Sequence, residues 1–254
     1  MEVHLVKEDK MDVAKYISKN MVVIPNGQEL IRDFVDPAKW LSSNYKMSAP
    51  GTNKEKFVKQ KLVDITSFLL LNTAVTNELY SVVMNVEFDL KLKDYPVVNV
   101  SWIDAVNFCN KLSEMLGLEK CYTLNSVSEK ITVDESKEGF RLPTDCEWQF
   151  ACRGGEKGYR YGDIDEIAWF EENSNGSLKM VKTKKSNNFG LFDMIGNVWE
   201  WCFDVYDESR YGNYRIFRGG SFASEERVCG ATSRRKSFPD FRIDDLGFRI
   251  AKRI

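Results

Sequence analysis

Histidine is almost absent from this 254-residue sequence, which contains only His4. A cysteine–histidine zinc site needs several such ligands close together, and serine and cysteine hydrolases commonly use a histidine as general base. The six cysteines also form no Cys-x-x-Cys pair. The sequence therefore excludes both hydrolase classes and a zinc site of this kind.

An excess of charge of one sign is also lacking, because 36 basic residues are balanced by 38 acidic ones, with a formal net charge of -2. No global positive field attracts the chain to nucleic acid or to anionic lipid. The lysines of segment 179–185 are predicted to lie in a solvated loop. We therefore expect no nucleic-acid partner.

Long hydrophobic runs are missing as well. The most apolar windows, 62–75 and 95–100, are interrupted by polar residues or proline and fall short of the roughly 20 residues that cross a bilayer. The first ten residues do not show a basic region followed by an apolar stretch, so we expect no signal peptide. We also expect no membrane partner.

Helix signals are clear at three places. Thr76 is predicted to cap a helix over 77–84, and Ser101 with Asp104 forms a capping-box pattern before apolar residues at helical spacing. Gly117 is predicted to end that second helix. Thr144 and Glu147 form another capping-box pattern, and two glycines at 154–155 end the helix that follows.

The remaining sequence favours short strands and loops. Residues 122–138 alternate in the manner of a hairpin, and the chain beyond residue 155 is rich in glycine, asparagine and aromatic residues. The pattern of residues 1–60 predicts no defined elements apart from turns. These features predict a loop-rich α+β domain with two main helices.

Several ordered segments resemble the formylglycine-generating-enzyme, or sulfatase-modifying-factor, family. They are MVVIPNG (21–27), VTNE (75–78), YPVVNVSWIDA (95–105), GFRLPT (139–144), EW (147–148), CRGG (152–155), NFGLFDMIGNVWEW (188–201), FRGGSF (217–222) and LGFR (246–249). The resemblance implies a C-type-lectin-like fold with short antiparallel strands. It also implies one domain over residues 21–254, preceded by an N-terminal extension over residues 1–20.

The resemblance bears on copper chemistry through Cys229. Family members that oxidise a sulfatase cysteine to formylglycine hold copper with two thiolates shortly after the Gly-Gly-Ser-aromatic segment. Cys229 matches the second thiolate position, and Ser224 stands at the first. A hydroxyl does not replace a thiolate for Cu(I), so we expect no copper, and we interpret Cys229 as a small buried hydrophobe.

The resemblance also implies a structural calcium ion. The family binds Ca²⁺ with groups that match the side chain of Asp193, the backbone carbonyls of Gly196 and Val198, and the carboxylate of Glu200. Oxygen donors of this kind suit Ca²⁺. The alternative is that Asp193 and Glu200 cap turns and pair with arginines. The tryptophans at 169, 199 and 201 are interpreted as core residues.

The segment 223–245 is the predicted ligand-binding face, because related ligand-binding proteins display their variable loops there. Its candidate contact residues are Glu225, Glu226, Arg227, Arg234, Arg235, Phe238, Phe241 and Arg242. The alternative for any one of them is an ordinary ion pair or inward packing.

Three functions are compatible with this resemblance. The first is a binding module without oxidase activity that contacts a protein or a small ligand. The second is an atypical metal- or oxygen-dependent protein-modifying enzyme that uses Cys229. The third is a diversity-generated variable ligand-binding protein, for which related loci differ mainly within 223–245.

The cysteine positions bear on the compartment. Cys109 and Cys152 match disulfide cysteines of exported relatives, but the partner positions are Arg234 and Ile250. Neither bridge can form. Together with the missing signal peptide, this predicts free thiols and a cytoplasmic protein.

Overall fold

A computed structural model describes residues 11–32, 60–124 and 131–254. The α-helices are α1 Val13–Asn20, α2 Asn77–Met84, α3 Trp102–Met115, α4 Asp145–Arg153, α5 Ile164–Ile167, α6 Glu171–Ser174 and α7 Glu208–Tyr211, and short 3-10 turns cover Leu90–Leu92 and Glu226–Val228. The strands are β1 Met21–Ile24, β2 Gly27–Arg32, β3 Gln60–Ile65, β4 Phe68–Leu71, β5 Tyr122–Leu124, β6 Ile131–Val133, β7 Phe140–Arg141, β8 Trp199–Val205, β9 Arg215–Arg218, β10 Arg234–Ser237, β11 Leu246–Phe248 and β12 Ala251–Arg253.

The described strands form two four-stranded and two two-stranded sheets. One four-stranded sheet has the order β1-β4-β12-β7 and the other has the order β10-β9-β8-β11, and the two-stranded sheets are β2-β3 and β5-β6. Most neighbours are antiparallel, but β11 pairs with β8 in parallel. The predicted loop-rich α+β fold with short strands is confirmed, with this one parallel ladder as the exception.

Helix α3 begins where its capping box predicts. The Ser101 hydroxyl accepts from the Asp104 backbone N–H, and an Asp104 carboxylate oxygen accepts from the Ser101 backbone N–H. These two bonds satisfy donors that a helix N-terminus otherwise leaves without partners. The helix ends at Met115, just before the glycine that was predicted to stop it.

The other two predicted helices are also confirmed. Thr76 caps α2 by accepting from the Leu79 N–H, and Thr144 with Glu147 forms the capping box of α4. Gly154 closes α4 in the left-handed conformation, with φ of 59°, which glycine adopts without a Cβ penalty.

Helix α1 lies in a part of the sequence where the residue pattern predicts no element. Asp12 caps it through the Lys15 N–H, and Val13 and Ile17, one turn apart, are buried in the core. Thus part of the predicted N-terminal extension packs against the rest of the protein. The proposed boundary at residue 21 stays a prediction.

The core has two clusters, and alternate residues of β8 contribute to each. Trp199 and Trp201 pack with α1, α2 and α3, whereas Cys202 packs with Trp148 and Cys152 of α4. This division follows from the two-residue period of a strand, which directs successive side chains to opposite faces. Trp199 and Trp201 are buried as predicted.

Candidate functional site

The turn after β9 carries the two positions that the resemblance associates with copper. Ser224 is buried, and its hydroxyl accepts from the Ser221 N–H and lies 3.0 Å from the Ser221 hydroxyl. The Ser221 hydroxyl also donates to Asp245 at 2.6 Å. Ser224 thus belongs to a hydroxyl network that fixes the turn, and it supplies an alcohol where the copper-binding relatives have a thiolate.

Cys229 is completely buried and holds its thiol in the neutral form. Its sulfur lies 3.9 Å from the Ser224 carbonyl oxygen, to which the S–H group donates. Burial raises the pKa of Cys229 to about 12. At Gly220, where φ is 84°, an added Cβ would lie 2.7 Å from this sulfur. A thiol in this environment is a poor copper ligand and a poor nucleophile.

Tyr159 and Arg160 hold the Cys229 turn in place, and we call these two residues the clamp. Arg160 donates to the carbonyls of Cys229 at 2.9 Å and Glu226 at 2.6 Å, and pairs with the Glu226 carboxylate at 2.7 Å. The Tyr159 hydroxyl donates to the Arg227 carbonyl at 2.9 Å. The sequence gives no signal for either residue, because nothing in the spacing links them to a turn nearly seventy positions away.

A surface cavity of about 390 Å³ lies beside the clamp, and we call it the clamp cavity. Three predicted contact residues, Glu225, Glu226 and Arg227, line it. Glu225 and Arg227 form an exposed ion pair at 2.5 Å. The remaining lining residues are Tyr159, Arg160 and Glu172. The cavity therefore presents both signs of charge and one aromatic ring to a ligand.

The other predicted contact residues lie elsewhere. Arg234 is largely buried and pairs with Asp145 at 3.2 Å, and Phe241 packs against the core. Arg242 pairs with Asp104 at 2.6 Å, beside the start of α3. The eight candidates therefore do not form one face. Ordinary ion pairing and inward packing, the alternatives considered from sequence, account for Arg234 and Phe241.

Strand β10 forms a second exposed part of the predicted segment. Arg235 is exposed, and its guanidinium lies 4.8 Å from the centre of the Trp199 ring. Phe238 is 52% exposed, and its ring centre lies 4.1 Å from that of Tyr214. Lys236 lies over the ring of Tyr211 at 4.1 Å. This region combines cations with exposed aromatic surface.

The predicted calcium residues lie in a buried region, and their chemistry fits calcium only in part. Both Glu200 oxygens bond to the Arg249 guanidinium at 2.7 Å, and one also accepts from the Trp148 ring N–H. Both Glu200 oxygens are therefore engaged by Arg249, which competes with a metal ion for them. Asp193 accepts from the Lys182 N–H at 2.8 Å, and burial raises its pKa to about 6.

Gly196 and Val198, the two predicted carbonyl ligands, flank a left-handed turn in which φ is 74° at Gly196 and 58° at Asn197. A Cβ at Gly196 would overlap the carbonyl oxygen of Trp169. This close approach explains the glycine without a metal. Within the described part of the chain, no group of three or more histidine, cysteine or acidic residues is arranged to hold a metal ion.

Trp169 corrects one interpretation made from sequence. It is only partly buried, and the Lys184 ammonium lies 3.9 Å from its ring centre, so the ring lies at the surface rather than in the core. The lysines of 179–185 are engaged locally: Lys185, for example, pairs with Glu166 at 3.0 Å. All six cysteines are free thiols.

In the described residues, no helix has the length and apolar character that crossing a bilayer requires.

Comparison with known families gives one match that spans nearly the whole chain. The model of the sulfatase-modifying factor enzyme 1-like domain matches residues 7–254. This range includes the clamp, the Cys229 turn and the final strands.

Three similar proteins illustrate the range of functions among relatives. The solved structure of Treponema denticola variable protein 1 is 30% identical, has a TM-score of 0.75, and the match covers 92% of this chain and 95% of that one. Chaperone protein LppX of Paenibacillus barcinonensis is 28% identical over 79% of this chain and 85% of its own. The inactive C-alpha-formylglycine-generating enzyme 2 of Mus musculus is 30% identical over 62% of this chain and only 50% of its own length.

Proposed function

The chain belongs to the family of sulfatase-modifying factor enzyme 1-like domains, and from this premise we propose that it is a binding module without oxidase activity. The observation that carries the proposal is the Cys229 turn. It has an alcohol at Ser224 and a single, buried, neutral thiol. Cu(I) prefers thiolate ligands. The resemblance implies two thiolates at this turn, and this chain can supply at most one there.

The clamp cavity supports a binding role for the same region. Arg160 in its lining is held by bonds to the carbonyls of Cys229 and Glu226 and pairs with the Glu226 carboxylate, which fixes the positions of these two side chains before a ligand arrives. We propose that it takes part of a protein or a small ligand that carries both charges. The similarity to an inactive enzyme and to a chaperone is compatible with this role.

Two other functions remain candidates. The similarity to a variable protein over 92% of the chain favours a variable ligand-binding protein, for which related loci would differ mainly within 223–245. A metal- or oxygen-dependent enzyme that uses Cys229 is less well supported, because its thiol is buried and its pKa is raised.

Titration of reduced protein with Cu(I) tests the proposal. We expect no tight stoichiometric copper binding by the wild-type protein or by Cys229→Ala. The Ser224→Cys variant should gain a Cu(I) site, because a second sulfur then lies close to Cys229 in sequence and in the turn. The control is the Ser224→Cys/Cys229→Ala double variant, which should lose that site. Tight copper binding by the wild-type protein that depends on Cys229 would overturn the proposal.

Calcium stays a separate prediction, which would depend on Asp193 and the carbonyls of Gly196 and Val198. Thermal unfolding in the presence of Ca²⁺ and in the presence of a chelator tests whether the protein binds calcium. A calcium site raises the melting temperature in Ca²⁺, because a ligand that binds only the folded state stabilises it. Equal melting temperatures would mean that the Arg249–Glu200 pair leaves no such site.

A further inference from the structure

A cavity of about 350 Å³ lies beside the start of helix α3, and we call it the α3 cavity. Among the described residues, it shares none of its lining with the clamp cavity. Its apolar and aromatic wall is formed by Tyr80, Val86, Phe88, Val97, Val98 and Val100. This volume and this lining are typical of pockets that take small ligands.

An ion pair between Arg242 and Asp104 lies in the lining of the α3 cavity. The Nε and Nη2 atoms of Arg242 donate to Asp104 Oδ2 at 2.9 Å and 2.6 Å. The same Oδ2 atom accepts from the backbone N–H and the hydroxyl of Ser101, both at 2.8 Å. Within the part of the chain that the structure describes, Asp104 Oδ1 and Arg242 Nη1 have no hydrogen-bond partner. The pair therefore leaves an acceptor atom and a donor atom for a ligand.

The wall of the α3 cavity is held in place by the rest of the fold. The Tyr80 ring stacks on the core residue Phe108, with 5.5 Å between the ring centres. The Asn99 N–H donates to the Ile243 carbonyl at 3.1 Å, which fixes the segment 97–100 next to Arg242. A cavity with fixed walls loses little conformational entropy when a ligand binds, so more of the contact energy contributes to affinity.

The two charges of the ion pair select the polar group of the ligand. Asp104 repels an anion and Arg242 repels a cation, so a charged ligand pairs with only one of the two residues. A neutral carboxamide has a donating NH₂ group beside an accepting C=O group, which matches Asp104 Oδ1 and Arg242 Nη1 together. Glu87 also lines the cavity, but it is exposed and its charge is screened by solvent.

We propose that the α3 cavity binds a small aromatic carboxamide. The ring of the ligand packs against Tyr80, Phe88 and the valines of the wall, and its carboxamide bonds to the Asp104–Arg242 pair. Arg242, one of the predicted contact residues of segment 223–245, thereby gains a binding role. The α3 cavity is separate from the clamp cavity and takes a different class of ligand, so this proposal goes beyond the proposed function.

Titration of ¹⁵N-labelled protein with benzamide, benzoate and benzylamine, followed by backbone amide chemical shifts, tests the proposal. The three probes share an aromatic ring and differ in a polar group that is neutral, anionic or cationic. We expect benzamide to shift the signals of residues 97–100. It should bind about tenfold more tightly than either charged probe, because each charged probe leaves one member of the ion pair without a partner.

Replacement of Arg242 by leucine should reverse this preference. The variant leaves Asp104 without its cation, so benzylamine should bind more tightly than benzamide. Arg242→Lys keeps a cationic donor and should keep benzamide as the tightest of the three probes. The matched control is Arg235→Leu, which removes an exposed arginine outside the α3 cavity and should leave all three affinities unchanged.

Three results would overturn the carboxamide proposal. They are equal affinities of the three probes for the wild-type protein, no benzamide-induced shift up to the solubility limit of benzamide, and an unchanged order of affinities in Arg242→Leu. Copper titration reports on the Cys229 turn, whereas these shifts report on the α3 cavity. Failure of the binding-module proposal is therefore distinguishable from failure of this one.

Discussion

At the level of single residues, the central feature is a set of ionisable groups whose pKa values are raised by burial. The thiol of Cys229 is one, because desolvation raises its pKa to about 12. Asp193 is another, since burial raises its pKa to about 6 while its bond from the Lys182 N–H opposes that shift. The Cys229 thiol is therefore neutral at pH 7, whereas Asp193 becomes a buried charge above about pH 6.

The raised pKa of Asp193 predicts a pH-dependent effect of Asp193→Asn. Because the folded state holds its proton more tightly than the unfolded state, this residue's favourable contribution is complete at acid pH and is lost as pH rises through about 6. The asparagine keeps an oxygen acceptor and does not ionise. Relative to wild type, the variant should therefore gain stability between about pH 4 and pH 7, by up to about 3 kcal/mol.

Urea unfolding of both proteins across this pH range, in the presence of a chelator, measures the difference in free energy of unfolding. Asp165→Asn, on an exposed surface, is the control and should show little change. A difference between Asp193→Asn and wild type that does not vary with pH would contradict the assigned pKa.

At the level of elements, the clamp joins two loops that lie far apart in sequence. Arg160 bonds to two carbonyls and one carboxylate of the Cys229 turn, and the Tyr159 carbonyl accepts from the Ala231 N–H at 2.8 Å. An added Cβ at Gly230 would overlap the Tyr159 ring. The clamp therefore holds the shape of the turn together with the hydroxyl network of Ser221 and Ser224.

Removal of the Arg160 side chain should expose Cys229. In Arg160→Ala the turn loses its bonds from the guanidinium, so it opens more often, and we expect Cys229 to be alkylated on the order of tenfold faster. Peptide mapping after iodoacetamide labelling measures this rate for each cysteine. Lys185→Ala, which breaks an exposed ion pair elsewhere, is the control. Unchanged labelling of Cys229 in Arg160→Ala would mean that the clamp does not hold the turn.

At the level of the whole molecule, one buried ion pair joins the parts of the fold. Arg249, near the end of the chain, bonds to both Glu200 oxygens on β8 and to the carbonyls of Leu71 and Phe192. Trp148 of α4 donates to the same carboxylate at 2.7 Å. Both charged side chains are essentially inaccessible to solvent, so each depends on the other.

Replacement of Arg249 by methionine should destabilise the whole protein. The substitution leaves the Glu200 carboxylate buried without its cation, and we expect a loss of about 3–5 kcal/mol in the free energy of unfolding. The Arg249→Met/Glu200→Gln double variant should recover part of that loss, because it no longer buries an unpaired charge. Chemical denaturation measures the free energy of unfolding of both variants. A loss below about 1 kcal/mol for Arg249→Met would contradict this role.

The sequence by itself determined the elements that depend on neighbouring residues. The caps of α2, α3 and α4 lie within three residues of the donors they satisfy, so their boundaries were predicted closely. The ordered motifs also determined the family and the alcohol at Ser224. Helix α1 was not predicted, although its Asp12 cap is equally local.

Only the tertiary structure decided which candidate residues act together. It separated the eight predicted contact residues among the clamp cavity, β10 and the residue after it, the Asp145 ion pair, the core and the start of α3. The tertiary structure also shows that Glu200 pairs with Arg249 and that Arg160 contacts the Cys229 turn. These contacts join residues tens of positions apart. Which residues are buried, and which residues pair across such a separation in sequence, depends on how the sheets and loops pack. The local spacing of residues does not determine that packing.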